Sequence, residues 1–274
     1  MNRAMAAQGR SRAGWMLATT FAVVLAGGLQ GCATPQQGMT ADPTPASQES
    51  DERRRARIRL ELASNYYAEG KTEIALQELR QVVATDPGFP AAYNLRGLIY
   101  MRLGDNREAE ESFRRALALN PRDADTSHNY GWLLCQMQRY PDSIRTFQQA
   151  LANPLYGDRA KTHMALGLCQ ARAGQLPDAE ANLVRSYELD PGNPITGYNL
   201  ARILYDRGAY DKAQFYIRRL NNSELANAET LWLGIKVENR MNDREAMGQL
   251  SEVLRRRFPQ SRERTALDRR AFDE

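Results

Sequence analysis

The strongest constraint on the fold is an internal repeat of about 34 residues. Small residues recur at one position of each unit, namely Ala63, Gly97, Gly131, Gly167, Ala201 and Gly234. The intervals are 34, 34, 36, 34 and 33 residues. A second small residue follows each of these by twelve positions: Ala75, Ala109, Ser143, Ala179, Ala213 and Ala246. This period is typical of helical hairpins that stack, because one hairpin alone cannot bury its apolar face.

Each unit is predicted to contain two helices joined by a tight turn. Small residues on both helices allow a close crossing. Glycine stands at the predicted turn in four units, as Gly70, Gly104, Gly174 and Gly208, while Gln138 and Met241 stand there in the others. Asp-Pro or Asn-Pro closes three units, at residues 86–87, 120–121 and 190–191. Together these residues resemble the tetratricopeptide repeat over residues 56–259. The resemblance implies an all-α, right-handed superhelical solenoid of about six hairpins.

The first 31 residues predict an export signal. An apolar run covers residues 15–29. It is preceded by three arginines, Arg3, Arg10 and Arg12, and by no acidic residue. The run is shorter than the roughly 20 residues that a membrane-spanning helix needs, and its basic flank is typical of a signal peptide.

The end of this segment resembles a bacterial lipobox, because Gly31 comes directly before Cys32. The resemblance implies that Cys32 is lipidated and becomes the N-terminus. Ordinary signal-peptidase cleavage, which leaves Cys32 free, is the alternative. By resemblance to bacterial sorting rules, Ala33 implies delivery to the outer membrane, where acyl chains such as palmitate anchor the chain on the periplasmic face.

The chain is therefore divided into a signal peptide (residues 1–31), a lipidated flexible tether (32–52), the solenoid (53–259) and a C-terminal cap or tail (260–274). Removal of the signal peptide takes away three of the 37 basic side chains and no acidic one, so 34 face 33 acidic ones and the net charge falls from +4 to +1. A nearly neutral chain gives no sign of a nucleic-acid partner.

No catalytic motif is present: the sequence contains no H-E-x-x-H, Walker A loop, G-x-S-x-G or C-x-x-C. His128 and Cys135 share a helix face but lie about 10.5 Å apart along the axis. We therefore predict no enzyme activity, metal, cofactor or small-molecule substrate. Cys135 and Cys169 lie at neighbouring positions on the first helices of consecutive units, and both a disulfide and two buried thiols remain open.

The resemblance to tetratricopeptide arrays also implies a concave groove lined by the first helix of each unit. Transferred position by position, the groove residues are Leu60, Ser64, Tyr67, Asn94, Leu98, Met101, His128, Trp132, Met164, Leu168, Tyr198, Arg202 and Tyr205. Aromatic and methionine side chains are typical of surfaces that bind peptides. The alternative is that several of them pack between adjacent helices.

A closer resemblance is carried by several short segments. They are HNYGWLLC at 128–135, RY at 139–140, ANPLY at 152–156, LGLC at 166–169, LGI at 233–235 and RRFP at 256–259. These segments and the lipobox resemble the type IV pilus biogenesis/stability lipoprotein family. The resemblance implies a non-enzymatic secretin pilotin, which binds secretin subunits and promotes their outer-membrane localisation and multimerisation. A general periplasmic adaptor that docks proteases or cell-wall enzymes at the outer membrane is the alternative.

Overall fold

The structure is a computed structural model and describes residues 50–272. Within that range the regular structure consists of thirteen helices. They are α1 (Asp51–Ala68), α2 (Thr72–Thr85), α3 (Pro90–Leu103), α4 (Asn106–Leu119), α5 (Ala124–Gln136), α6 (Tyr140–Leu151), α7 (Arg159–Arg172), α8 (Leu176–Leu189), α9 (Pro194–Asp206), α10 (Tyr210–Asn221), α11 (Ala228–Arg240), α12 (Arg244–Arg257) and α13 (Arg262–Asp268). The predicted signal peptide, Cys32 and nearly all of the tether lie outside the described residues.

The first twelve helices form six hairpins, each made of an odd-numbered first helix and the even-numbered second helix after it. Every second helix also packs on the first helix of the next hairpin, so the apolar core continues from one unit to the next. This arrangement confirms the predicted all-α solenoid. Residues 50–272 contain no β-strand.

Close helix crossings explain the small residues of the repeat. A Cβ atom added to Gly97 would lie 2.6 Å from the ring of Phe113 on the second helix. The corresponding distance is 2.9 Å from Gly131 to Phe147. Real Cβ atoms do not approach so closely, so a larger residue would push the hairpin apart.

The turn between the helices requires a left-handed backbone conformation in every unit. Positive φ angles occur at Gly70, Gly104, Gln138, Gly174, Gly208 and Asn242. The prediction is confirmed for the four glycines and for Gln138. It is wrong for Met241, because the left-handed residue is Asn242, one position later.

The sixth unit therefore keeps the 34-residue period, since Asn242 follows Gly208 by 34 positions. In this register the residue equivalent to Ala201 is Ile235, which is fully buried. The sequence prediction aligned Gly234 at that position because it is small. Gly234 instead lies between Asn221 of the preceding hairpin and Leu250 of α12, where an added Cβ atom would collide with the Asn221 amide and lie 3.1 Å from the Leu250 side chain.

The C-terminal end of the array is covered by residues that follow the sixth hairpin. Leu267 of α13 is buried together with Leu231 and Ile235 of α11. Beyond the helix, the Phe272 ring stacks on the Trp232 indole with 5.6 Å between ring centroids. The last hairpin is thus shielded from water on its outer side.

Among the described residues, none of the helices combines the length and apolar character needed to cross a lipid bilayer.

Candidate protein-binding face

The groove residues predicted from the sequence lie on the first helices of the first five hairpins, which are α1, α3, α5, α7 and α9. All but one keep part of their surface accessible; these are Leu60, Ser64, Tyr67, Asn94, Leu98, Met101, Trp132, Met164, Leu168, Tyr198, Arg202 and Tyr205. We call the accessible surface formed by the first helices the first-helix face. Most of its side chains are half-buried, which leaves them accessible but with little freedom to move.

Contacts between neighbouring first helices order the first half of this face. The Arg102 guanidinium lies 3.8 Å from the Tyr67 ring centroid and donates a 2.7 Å hydrogen bond to the Tyr67 carbonyl oxygen. The Asn129 amide donates to the Asn94 side-chain oxygen at 3.1 Å. Arg102 and Asn129 were not predicted as part of the face, because the repeat pattern marks recurring positions and not the partners that cross between them.

Similar contacts order the second half. The Arg172 guanidinium lies 5.2 Å from the Trp132 ring centroid. The Tyr205 hydroxyl accepts a 3.4 Å hydrogen bond from Arg240, and the Lys236 ammonium lies 5.3 Å from the Tyr205 ring centroid. Aromatic rings held in this way by cations are pre-oriented, so little side-chain entropy is lost when a partner packs on them.

The last two hairpins and α13 form an open cavity of about 240 Å³ on the first-helix face. Its lining residues come from α9, α11 and α13: Tyr198, Arg202, Tyr205, Asp206, Glu229, Trp232, Leu233, Lys236 and Glu263. Three aromatic side chains and three carboxylates meet here. Burial raises the pKa of the Tyr198 phenol, so its hydroxyl stays protonated and can donate a hydrogen bond.

A second cavity of about 290 Å³ adjoins the first and shares Arg202 and Asp206 with it. Its other lining residues are Leu168, Ala171, Arg172, Leu176, Asn199 and Ile203. Each cavity is large enough for one or two side chains of a partner. The sequence prediction named Leu168, Tyr198, Arg202 and Tyr205 here but missed Trp232 and Lys236, which lie on the hairpin whose register it placed one residue out.

His128 departs from its predicted place in the groove, because only 6% of it is exposed. Its Nδ1 atom lies 2.8 Å from the Thr162 hydroxyl, and its ring lies edge-on to Phe147 with 5.7 Å between centroids. Burial lowers the pKa of His128 to about 4. The side chain is therefore neutral at neutral pH and packs between α5 and α7, out of reach of a partner.

Cys135 and Cys169 are joined by a disulfide, and their Cα atoms are 5.8 Å apart. The bond links α5 to α7, so it joins the first helices of the third and fourth hairpins. The Ser143 hydroxyl lies 3.2 Å from the Cys169 sulfur. Of the two arrangements that the sequence leaves open, this structure contains the bonded one.

Residues 50–272 hold no cluster of three His, Cys, Asp or Glu side chains placed to bind a metal ion. The first-helix face offers aromatic surface, fixed cations and carboxylates. These features suit the binding of an extended protein segment.

The fold and this face define the chain as a tetratricopeptide-repeat protein. One model of the tetratricopeptide repeat matches residues 60–125 and 130–194, and another matches residues 100–154 and 170–229. The chain is 29% identical over 240 residues to the type IV pilus assembly protein PilF of Pseudomonas aeruginosa, covering 88% of this chain and 93% of PilF.

Two solved structures extend the similarity. PilW, described as a widely conserved type IV pilus biogenesis factor, is 31% identical with a TM-score of 0.70, over 77% of this chain and 97% of PilW. A structure of Pseudomonas aeruginosa PilF is 25% identical with a TM-score of 0.74, over 81% of this chain and all of that structure (100%). The chain belongs to this family of tetratricopeptide-repeat proteins of type IV pilus biogenesis.

Proposed function

We propose that the chain is an outer-membrane lipoprotein that acts as a pilotin for the type IV pilus secretin. The observation that carries the proposal is the similarity to PilW, which is 31% identical and matched over 97% of its length. The lipobox-like sequence at Cys32 adds the expectation of an acyl anchor on the periplasmic face of the outer membrane. In this role the chain carries out no chemistry on its partner.

The proposed mechanism divides the work between the two ends of the chain. The acyl chains on Cys32 direct the complex to the outer membrane, and residues 32–52 act as a flexible tether. The first-helix face holds a segment of a secretin subunit, which keeps that subunit at the membrane where multimers form. Rigidity of the face favours this role, because the binding surface is already ordered before the partner arrives.

The cavity of the last two hairpins is the proposed anchor point for this segment. Tyr198, Tyr205 and Trp232 supply the aromatic walls that dominate binding energy in many protein interfaces. Asp206 and Glu229 are exposed at its rim. A partner side chain that is apolar or aromatic, with a basic neighbour, would fit this combination of surfaces.

Co-purification of the secretin with tagged variants tests this proposal. We expect the double substitution Tyr198→Ala and Arg202→Glu to reduce secretin recovery by about tenfold or more, because it removes one aromatic wall and reverses the charge beside it. Phe215→Ala is the matched control, since Phe215 is 60% exposed but lies on α10, a second helix. The control is expected to recover as much secretin as the unchanged chain.

Circular dichroism establishes whether both variants keep their helical content. Equal secretin recovery with the double variant and the control would contradict the proposed site. Recovery of proteases or cell-wall hydrolases in place of secretin would contradict the pilotin role and support the adaptor.

A further inference from the structure

The first hairpin exposes aliphatic side chains on the side that faces away from the second hairpin. Ile58 of α1 is 58% exposed, Leu62 of α1 is 40% exposed and Ile74 of α2 is 41% exposed. Ile58 and Leu62 are one helical turn apart and share a face. We call the surface formed by Ile58, Leu62 and Ile74 the N-terminal edge.

The repeat register shows what normally happens at these positions. The equivalents of Ile58 in the five later hairpins are nearly or completely buried: Ala92, Thr126, Thr162, Thr196 and Thr230, with exposures between 0% and 3%. The equivalents of Leu62 in the fourth and fifth hairpins, Leu166 and Leu200, are 2% and 0% exposed, whereas those in the second and third hairpins, Arg96 and Tyr130, are half-buried. The aliphatic equivalents Ala92, Leu166 and Leu200 are packed in clusters with buried residues of the preceding hairpin. The first hairpin has apolar residues at positions that are buried in later hairpins, but within residues 50–272 no hairpin precedes it to cover them.

Terminal units of repeat proteins usually present a polar outer face, which keeps the array soluble. The C-terminal end follows this rule, because α13 and Phe272 cover the apolar residues of the sixth hairpin. The N-terminal edge does not. Residues 33–48 contain no large aliphatic side chain except Met39, so the sequence directly upstream offers little to cover it.

The charges around the exposed stripe of α1 are separated along the helix. Arg54 and Arg55 are exposed about one turn before Ile58, and Glu61 is exposed about one turn after it. With about 100° of rotation per residue, Arg54 and Glu61 fall on the same flank of the stripe. Two such helices packed antiparallel across a two-fold axis bring Arg54 of one copy towards Glu61 of the other. The stripe is therefore complementary to itself in both charge and apolar character.

We propose that two copies of this chain pair through their N-terminal edges, with α1 antiparallel to α1 of the second copy. Ile58, Leu62 and Ile74 form the apolar centre, and Arg54 pairs with Glu61 of the second copy on each side of the two-fold axis. The exchange costs little, since the ion pair of Arg54 within its own chain is an exposed contact of 3.8 Å to Asp51. The pairing is independent of the secretin-binding role proposed above.

The size of the edge sets how strong the pairing can be. Each copy contributes three aliphatic side chains to the apolar centre, which is a small contact. Contacts that bury less than about 1,200 Å² in total are typical of weak complexes. We therefore expect a dimer that forms reversibly with rising concentration in solution. Anchoring two copies in one membrane would raise their effective concentration and favour the dimer.

Sedimentation velocity of the detergent-solubilised full-length chain over a wide concentration range tests this pairing. The unchanged chain is expected to shift from monomer to dimer, and the double substitution Ile58→Ser and Leu62→Ser is expected to remain monomeric. Phe215→Ser is the matched control, because it removes a side chain of similar exposure (60%) from α10 and should dimerise normally. Circular dichroism checks the helical content of each variant.

A charge swap tests the orientation. Arg54→Glu alone and Glu61→Arg alone are each expected to weaken the dimer by about fivefold, because like charges then meet across the axis. The two substitutions together should restore the affinity of the unchanged chain. Only a self-pairing surface predicts this rescue, since both residues belong to the same chain.

Three results would overturn the proposal. The unchanged chain could stay monomeric at every concentration, or the dimer could persist in the double variant Ile58→Ser and Leu62→Ser. In the third case, the variant that carries both Arg54→Glu and Glu61→Arg would not regain the dimer affinity of the unchanged chain. Flotation with vesicles of anionic phospholipid separates one further case. A monomer whose vesicle binding disappears on Ile58→Ser with Leu62→Ser, and strengthens on Glu61→Arg, would identify the edge as a lipid-binding surface and reject the dimer.

Discussion

At the scale of single residues, backbone conformation and side chain disagree at two turns of the array. Gln138 and Asn242 have φ angles of 61° and 59°, in the region that glycine occupies at the same position in the other four units. A side chain in the left-handed region costs about 1–2 kcal/mol relative to glycine, although asparagine tolerates it better than glutamine. The turn after α5 therefore carries strain that its neighbours lack.

We expect Gln138→Gly to raise the free energy of unfolding by about 1 kcal/mol, because it relieves this strain. The matched substitution Gly104→Gln, at the same position of the second unit, should lower it by a similar amount. Urea denaturation followed by circular dichroism measures both. If the two substitutions change stability in the same direction, the turn does not require glycine in the way described.

The buried imidazole of His128 makes stability depend on pH. Its pKa is about 4 in the folded chain and about 6.5 when unfolded, so the unfolded state takes up the proton first. This contribution to stability is complete above pH 6.5 and is lost as the pH falls towards 4. Between pH 7.5 and pH 5 the loss from His128 amounts to about 2 kcal/mol.

The variant His128→Gln lacks this titration. Its free energy of unfolding should therefore fall by about 2 kcal/mol less than that of the unchanged chain over the same pH range. Chemical denaturation at pH 7.5 and pH 5 compares the two proteins. The difference between the two pH values is the readout, because the substitution also changes packing at both. An identical fall in both proteins would show that His128 is protonated as easily in the folded chain as in the unfolded one.

At the scale of helices and hairpins, spacing in the sequence predicted most of the fold. Small residues such as Gly97 and turn glycines such as Gly104 mark each crossing and each turn, because steric limits leave few alternatives there. The sixth unit was misaligned by one residue, since Gly234 is small but faces the preceding hairpin while Ile235 takes the core position. Size alone cannot tell these two roles apart. The side chains that order the first-helix face, such as Arg102 and Lys236, were also missed, because their partners lie 35 and 31 residues away on another helix.

The disulfide between α5 and α7 crosses the only junction whose repeat interval is 36 residues. Cys135 and Cys169 are separated by 34 positions, and closing a loop of that length stabilises a folded chain by about 4 kcal/mol. We expect the double substitution Cys135→Ala and Cys169→Ala to lower the free energy of unfolding by about this amount.

A reductant provides the control for this prediction. Dithiothreitol should lower the thermal midpoint of the unchanged chain towards that of the double variant and leave the variant unaffected. An unchanged chain that does not respond to the reductant, and that reacts with a thiol reagent once unfolded, would show two thiols in place of the bond.

At the scale of the whole molecule, the solenoid serves as a rigid support for one accessible face. The packed hairpins hold aromatic side chains from α1, α5, α9 and α11 on this face, and cations on neighbouring helices order several of them. The proposed anchor at Cys32 lies 18 residues before the first described residue, Ser50, and the sequence predicts a tether between them. Under the proposed function, delivery and recognition therefore fall to separate parts of the chain.

The central claim is that this chain promotes secretin multimerisation at the outer membrane. Its most direct test is immunoblotting of secretin multimers and monomers in fractionated membranes of cells that lack the gene, with re-expression of the unchanged chain or Cys32→Ser. We predict that deletion removes the multimers while monomers persist and that the unchanged chain restores them. The Cys32→Ser protein should become soluble and fail to sort the secretin to the outer membrane. Undiminished outer-membrane multimers in the deletion strain would contradict the account.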